Sequence, residues 1–177
     1  MVAFDDEGAT RDEQLRSACM SDQPTMVKQL LEGQQPANVN CTNALGFTPL
    51  HYAAQTGAVE CVKLLAKAPG INLNIQDRMS RNTPLHMALI HRSKPQITLE
   101  TVTLLTRAGA DPRIVNKIGQ RPRDLTDELD PNDQEIRRLL LQAAVTIGVL
   151  ESKAHYAGLP TSGHDDKDDG SASDSSG

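Results

Sequence analysis

Gly46-Phe47-Thr48-Pro49-Leu50-His51-Tyr52-Ala53-Ala54 is the stretch whose reading decides the fold. It returns 35 residues later as Arg81-Asn82-Thr83-Pro84-Leu85-His86-Met87-Ala88. A further 38 residues on it returns, altered, as Gly119-Gln120-Arg121-Pro122-Arg123-Asp124-Leu125. Stepping back 35 residues from Leu50 reaches Leu15-Arg16-Ser17-Ala18-Cys19. Repetition at this period marks a solenoid built from small supersecondary units.

Each opening is followed by a Leu-rich segment: Met26–Leu31, Cys61–Leu65, Val102–Leu105 and Ile136–Leu140. Thr48 and Thr83 are suited to cap a helix, because a hydroxyl can accept from an unpaired N–H of the first turn. Pro49 and Pro84 then occupy the position where a missing N–H costs nothing. Gly57 should end the first helix of its unit, and Gly46 and Gly119 should supply positive φ between units. One such helix pair cannot bury its apolar face alone. Stacked pairs share one core.

These units resemble ankyrin repeats, whose length is about 33 residues with a T-P-L-H signature. The resemblance covers residues 11–143 or so. The middle two units match through Thr48-Pro49-Leu50-His51, Thr83-Pro84-Leu85-His86 and Gly109-Ala110-Asp111, and the outer two diverge as end units do. Within the family the chain is similar to small fungal ankyrin proteins of unassigned function that carry an acidic tail. The resemblance implies an all-α solenoid of four helix-turn-helix units joined by hairpin-like loops. It also implies that His51 and His86 bridge to the neighbouring hairpin backbone.

Composition agrees. Aromatic residues make up 2% of the 177 residues, so the core must come from Leu, Ile, Val and Ala. The net charge of −5 conceals a division: −3 over residues 1–10, −4 over residues 160–177, and +2 between. Residues 1–10 are expected to be a disordered acidic start, 11–153 the repeat domain, and 154–177 a disordered acidic tail rich in Ser, Asp and Gly. Unit 3 carries an insertion around His91–Gln96, read as a tolerated surface loop before a helix starting near Pro95, with Ser93 as a cap. Asp130 and Pro131 open a last helix expected to reach about Lys153, with Val145 to Leu150 shielding the open end of the stack.

No stretch approaches the roughly 18 apolar residues of a membrane span. The start lacks a basic region before an apolar one, so no leader is expected. Cys19, Cys41 and Cys61 are odd in number and lack metal-ligand spacing, which points to reduced thiols in the cytoplasm, with the nucleus as the alternative. Phosphate-loop, dinucleotide and nucleophile-elbow motifs are absent from the sequence. The expectation is therefore no catalytic residue, no metal and no cofactor.

What remains is a surface. The hairpin tips hold Leu45, Met79 and Ile118 beside Arg78, Arg81, Arg113, Lys117, Arg121 and Arg123. Residues 78–123 hold nine basic and two acidic side chains. A basic row with apolar points suits an acidic segment of another protein. Without an aromatic stacking platform, nucleic acid is disfavoured. The reading is a non-enzymatic adaptor, a monomer on its own, that binds through the concave hairpin and first-helix surface. The alternative is an escort for one client protein.

Overall fold

The computed structural model describes residues 9–92 and 94–157, with side chains through Ala154. The expected disorder at the two ends falls almost wholly outside these residues, as does the cap at Ser93. Seven α-helices and one 3-10 helix make up the described chain, and strands are absent from it. Unit 1 pairs α1 (Arg11–Met20) with α2 (Pro24–Glu32), and unit 2 pairs α3 (Pro49–Thr56) with α4 (Val59–Ala66). Unit 3 pairs α5 (Pro84–Ile90) with α6 (Pro95–Ala108). In unit 4 a 3-10 helix, Pro122–Leu125, precedes α7 (Pro131–Ala157).

The first helices form one row, α1 on α3, α3 on α5, and α5 on the 3-10 turn. The second helices form another, α2 on α4, α4 on α6, and α6 on α7. Ala18, Ala53 and Ala88 are buried at matching places of the first row, where small side chains let helices approach. Leu15, Leu50 and Leu85 repeat beside them, and Val27, Val62, Val102 and Ile136 line the second row, all fully buried. Every helix except α1 and α4 begins with proline.

The histidines hold the units together. The Thr48 backbone N–H donates to His51 Nδ1 at 3.1 Å, so that nitrogen is unprotonated and Nε2 carries the hydrogen. Nε2–H then donates to the Asn82 carbonyl of the next hairpin at 3.1 Å. His51 N–H returns a bond to Thr48 Oγ1, closing the cap. Unit 3 repeats the arrangement: Thr83 N–H donates to His86 Nδ1 at 3.2 Å, and His86 Nε2–H to the Gln120 carbonyl at 3.0 Å. Burial holds both imidazoles below the usual histidine pKa, which keeps them neutral. In unit 4 Asp124 stands where the histidine would be. Its Oδ2 accepts the Arg121 N–H at 2.8 Å, so the cap survives while the outward reach is lost.

A second set of bonds runs along the loops that join the units. Asn38 N–H donates to Asp12 Oδ1, Asn40 N–H to Asn38 Oδ1, and Asn72 N–H to Asn40 Oδ1. Asn74 N–H continues to Asn72 Oδ1, Asp111 N–H to Asn74 Oδ1, and Arg113 N–H to Asp111 Oδ1. Asp12, Asn40 and Asn74 receive the backbone of the loop that follows, while Asn38, Asn72 and Asp111 receive that of their own loop two residues on.

Three expectations need correction. The last helix, expected to reach about Lys153, continues through Ala157, the last described residue, as Lys153–Ala157 holds no glycine or proline. Val145, Val149 and Leu150 do not shield the end of the stack; they are exposed, since α7 turns Asp133, Ile136 and Leu140 inward instead. The insertion of unit 3 is more than a tolerated loop. Arg92 donates to both oxygens of Asp133 at 2.7 and 2.6 Å, and to the carbonyls of Leu89 and Leu125. Asp133 is 2% exposed and also accepts the Asp127 N–H, so the insertion locks the start of α7.

Candidate functional site

Each hairpin tip is shaped by one Asx side chain at its base. Asn43 Oδ1 accepts the N–H groups of Leu45 and Phe47 at 2.9 and 3.0 Å. Asp77 accepts those of Met79, Ser80 and Asn82 at 2.7–2.9 Å. Asn116 accepts those of Ile118 and Gln120 at 3.2 and 3.0 Å. Such local side-chain-to-backbone bonds fix a turn without help from strands. The three Asx residues were missed in the sequence. Their signal was there: Asn43 and Asn116 each stand three residues before a positive-φ glycine.

The tips are joined to one another. Arg78 N–H donates to the Leu45 carbonyl at 2.9 Å, and Lys117 N–H to the Ser80 carbonyl at 2.8 Å. At this junction Gly46, with φ +85°, is required twice over. A Cβ there would lie 2.8 Å from the Arg78 nitrogen. Arg81 takes the matching place in the second tip at φ +54°, an uncommon conformation for a side chain of that size. The result is one continuous, preordered ridge across units 2 to 4.

Leu45, Met79 and Ile118 stand on this ridge 46, 58 and 76% exposed, one per tip. Arg78, Arg81 and Lys117 are exposed among them, and Arg121 and Arg123 follow at the 3-10 turn. Among the described residues Arg78 Nη1 reaches only the Ala44 carbonyl, at 3.4 Å, and the Arg81 side chain only Gln76. Arg123 lies 3.5 Å from Asp124. Arg113 is differently placed. It makes paired bonds to Asp111 and to Glu151 of α7 at 2.7–2.9 Å, plus one at 3.2 Å, and so is occupied by the protein itself. Its guanidinium holds both carboxyls below the ordinary range.

Among the described residues no three His, Cys, Asp or Glu lie close enough to hold a metal ion. Cys19 and Cys61 are fully buried neighbours, and the hydrogen bond to Cys61 together with burial pushes the Cys19 thiol up, away from a nucleophile. A groove of about 610 Å³ lies between α2 and α4, over Leu31, Val39, Leu64 and Ala68. Its ionisable groups are Lys28, Glu32 and Lys67, with no histidine or cysteine.

Comparison with known families gives a match to ankyrin repeats, in three copies, over residues 15–116. The chain belongs to the ankyrin-repeat family. Ankyrin repeats are protein–protein interaction modules and are generally non-enzymatic. Among relatives, a rat ankyrin repeat and SAM domain-containing protein is 34% identical over 122 residues, 69% of this chain and 13% of that protein. A Plasmodium falciparum protein provisionally named an E3 ubiquitin-protein ligase is 32% identical over 146 residues, 80% of this chain but 1% of its own length. An ankyrin repeat-containing protein of Saccharomyces cerevisiae is 29% identical over 135 residues, 70% of this chain and 75% of that one. The chain thus spans a small fraction of the first two relatives and most of the yeast ankyrin protein. Among the described residues no helix is long and apolar enough to cross a membrane.

Proposed function

We propose that this ankyrin-repeat protein is a non-enzymatic adaptor that captures an extended, acidic segment of a partner protein along the hairpin ridge. One observation carries this reading: the three tips are hydrogen-bonded in series, each with an exposed apolar residue, and the second and third add exposed Arg78, Arg81 and Lys117. A preordered surface avoids the ordering cost that weakens flexible binders. The apolar tips supply desolvated contacts, and the cations supply steering and choice of partner. Arg113, held by Glu151, is left out of the contact set. The cytoplasm or nucleus is the setting this reading assumes.

A direct test immobilises the chain and recovers partners from lysate, then repeats the capture with Met79→Asp and with the pair Arg78→Glu and Lys117→Glu. Loss of one acidic partner with both variants is the expected result. Retention of all captured proteins by both variants overturns the reading. The escort alternative is favoured by the −4 charge of residues 160–177, which suits a basic client. Deleting those residues separates the two: an escort loses its client, and the adaptor keeps its partner.

A further inference from the structure

Helix α7 is 27 residues long and outlasts its own packing. Its inward side, Asp133, Ile136 and Leu140, is spent on the core. Leu141, Val145 and Val149 recur every four residues on the far side, exposed, with Val145 at 67%. Gly148 lies beside them, three residues after Val145. A Cβ at Gly148 would meet nothing within 4 Å, so the folded chain does not itself require glycine there. Glycine in a helix interior costs stability relative to alanine. A glycine without an internal reason, beside an exposed apolar stripe, fits the close approach of another helix.

The stripe has a symmetry that selects the occupant. Leu141 and Val149 lie four residues to either side of Val145, about 6 Å along the axis. Two copies of α7 laid antiparallel about Val145 place Leu141 against the second copy's Val149 and Val145 against its equivalent. Glu135 and Lys153 are 18 residues apart, which is about five turns at 3.6 residues per turn, so both flank the stripe on the same edge. Glu135 stands about 15 Å before Val145 and Lys153 about 12 Å after it. In the antiparallel pair each Glu135 therefore meets the Lys153 of the other copy at nearly the same height, twice by symmetry. A two-fold interface of this kind presents one self-complementary patch. Among the described residues Glu135 has only a loose contact with Arg138, at 3.5 Å.

We propose that the α7 stripe is a dimerisation surface whose occupant is α7 of a second copy of this chain, antiparallel, with apolar contacts centred on Val145 and flanking Glu135–Lys153 ion pairs. This departs from the expectation of a monomer and uses none of the hairpin-ridge residues.

Sedimentation equilibrium of the full chain tests it. The expected wild type is a dimer in the micromolar range, and Val145→Glu is a monomer. Because Val145 is exposed, circular dichroism of that variant should be unchanged. Glu135→Lys or Lys153→Glu alone should each weaken the dimer by about five- to tenfold, and the two together should restore it. A wild type that stays monomeric at the highest soluble concentration overturns the proposal. So does a dimer indifferent to Val145→Glu, or a double exchange weaker than either single one. If Val145→Glu does not fold, the charge exchange decides alone.

Discussion

Units 2 and 3 and the C-terminal end are joined by different means. Along the middle units the linking hydrogen bonds are neutral: His51 to the Asn82 carbonyl, His86 to the Gln120 carbonyl, and the Asx ladder through Asn40 and Asn74, with the exposed pair Lys63–Glu100, at 3.2 Å, as the ionic exception. At the C-terminal end the contacts are ionic: Arg92 to Asp133, Arg113 to Asp111 and Glu151, and Arg137 to Glu128. A regular repeat can rely on the backbone of the next repeat as a partner. Unit 4 has Asp124 where the bridging histidine would be, and charged side chains take over the task. The same protein should therefore respond to salt and to acid in different places.

The largest expected effect comes from breaking one joint of each kind. His51→Ala removes a buried ring and its bonds to two backbone segments, and should cost about 3 kcal/mol by urea unfolding. Arg92→Met leaves Asp133 buried without its cation, and should cost about 2–3 kcal/mol. Arg92→Met combined with Asp133→Leu should recover most of that loss, since no uncompensated charge remains. Hydrogen exchange should distinguish the two sites. The first variant loses protection in α3 and α5, and the second loses it in residues 122–140. Equal loss throughout the chain in both would show that the contrast between the joints has no consequence.

Next comes the opposing action of acid and salt. Burial holds His51 and His86 in the folded chain below the ordinary histidine value of 6.5. The unfolded chain then binds more protons, and stability is fully present above pH 6.5 and is lost as pH falls from there through the folded pKa values. Each histidine contributes at most about 1.4 kcal/mol per pH unit in that window. Asp111 and Glu151 are also lowered, from 3.8 and 4.5, so their tie to Arg113 persists until the pH falls below those values. Exchange measured between pH 7 and 5 should loosen the middle before the end of α7. Molar salt at pH 7 should do the reverse, because exposed ion pairs are screened and neutral hydrogen bonds are not.

The smallest expected effect is a gain. Arg81 holds φ +54°, where glycine is at ease, so Arg81→Gly should stabilise by about 0.5–1 kcal/mol in thermal unfolding. It would also bring the second tip to the backbone of the first, where Gly46 already stands. A loss of stability would mean that the Arg81 bond to Gln76 outweighs the strain.

Much of this architecture was legible from spacing. Thr48-Pro49-Leu50-His51 and its copy 35 residues later place caps, helix starts and bridging imidazoles without any knowledge of coordinates. The exposed Leu45, Met79 and Ile118 followed from the same register. Three features were not legible, and each depends on what a side chain meets far away in sequence. Arg113 looked like one more cation of the ridge, until Glu151 of α7 proved to lie beside it. Arg92 looked like a surface residue of an insertion, and its partner Asp133 is 41 residues distant. Val145 and Val149 fit a helical period but not the face that period buries. In each case the irregular unit is the one misjudged, because periodicity informs only where the chain repeats.

The loop ladder has a direction and identical fittings at both ends of a unit. Asn40 presents to Asn72 what Asn74 presents to Asp111, and His51 reaches Asn82 at the place where a second copy of Phe47 would offer its own carbonyl. A duplicated stretch of residues 41–74, spliced in after Asn74, would meet both the Asx ladder and the histidine bridge. The middle of this protein is thus a segment that recombination could lengthen by one unit at a time, while Arg92, Arg113 and α7 remain a terminus that can be used only once.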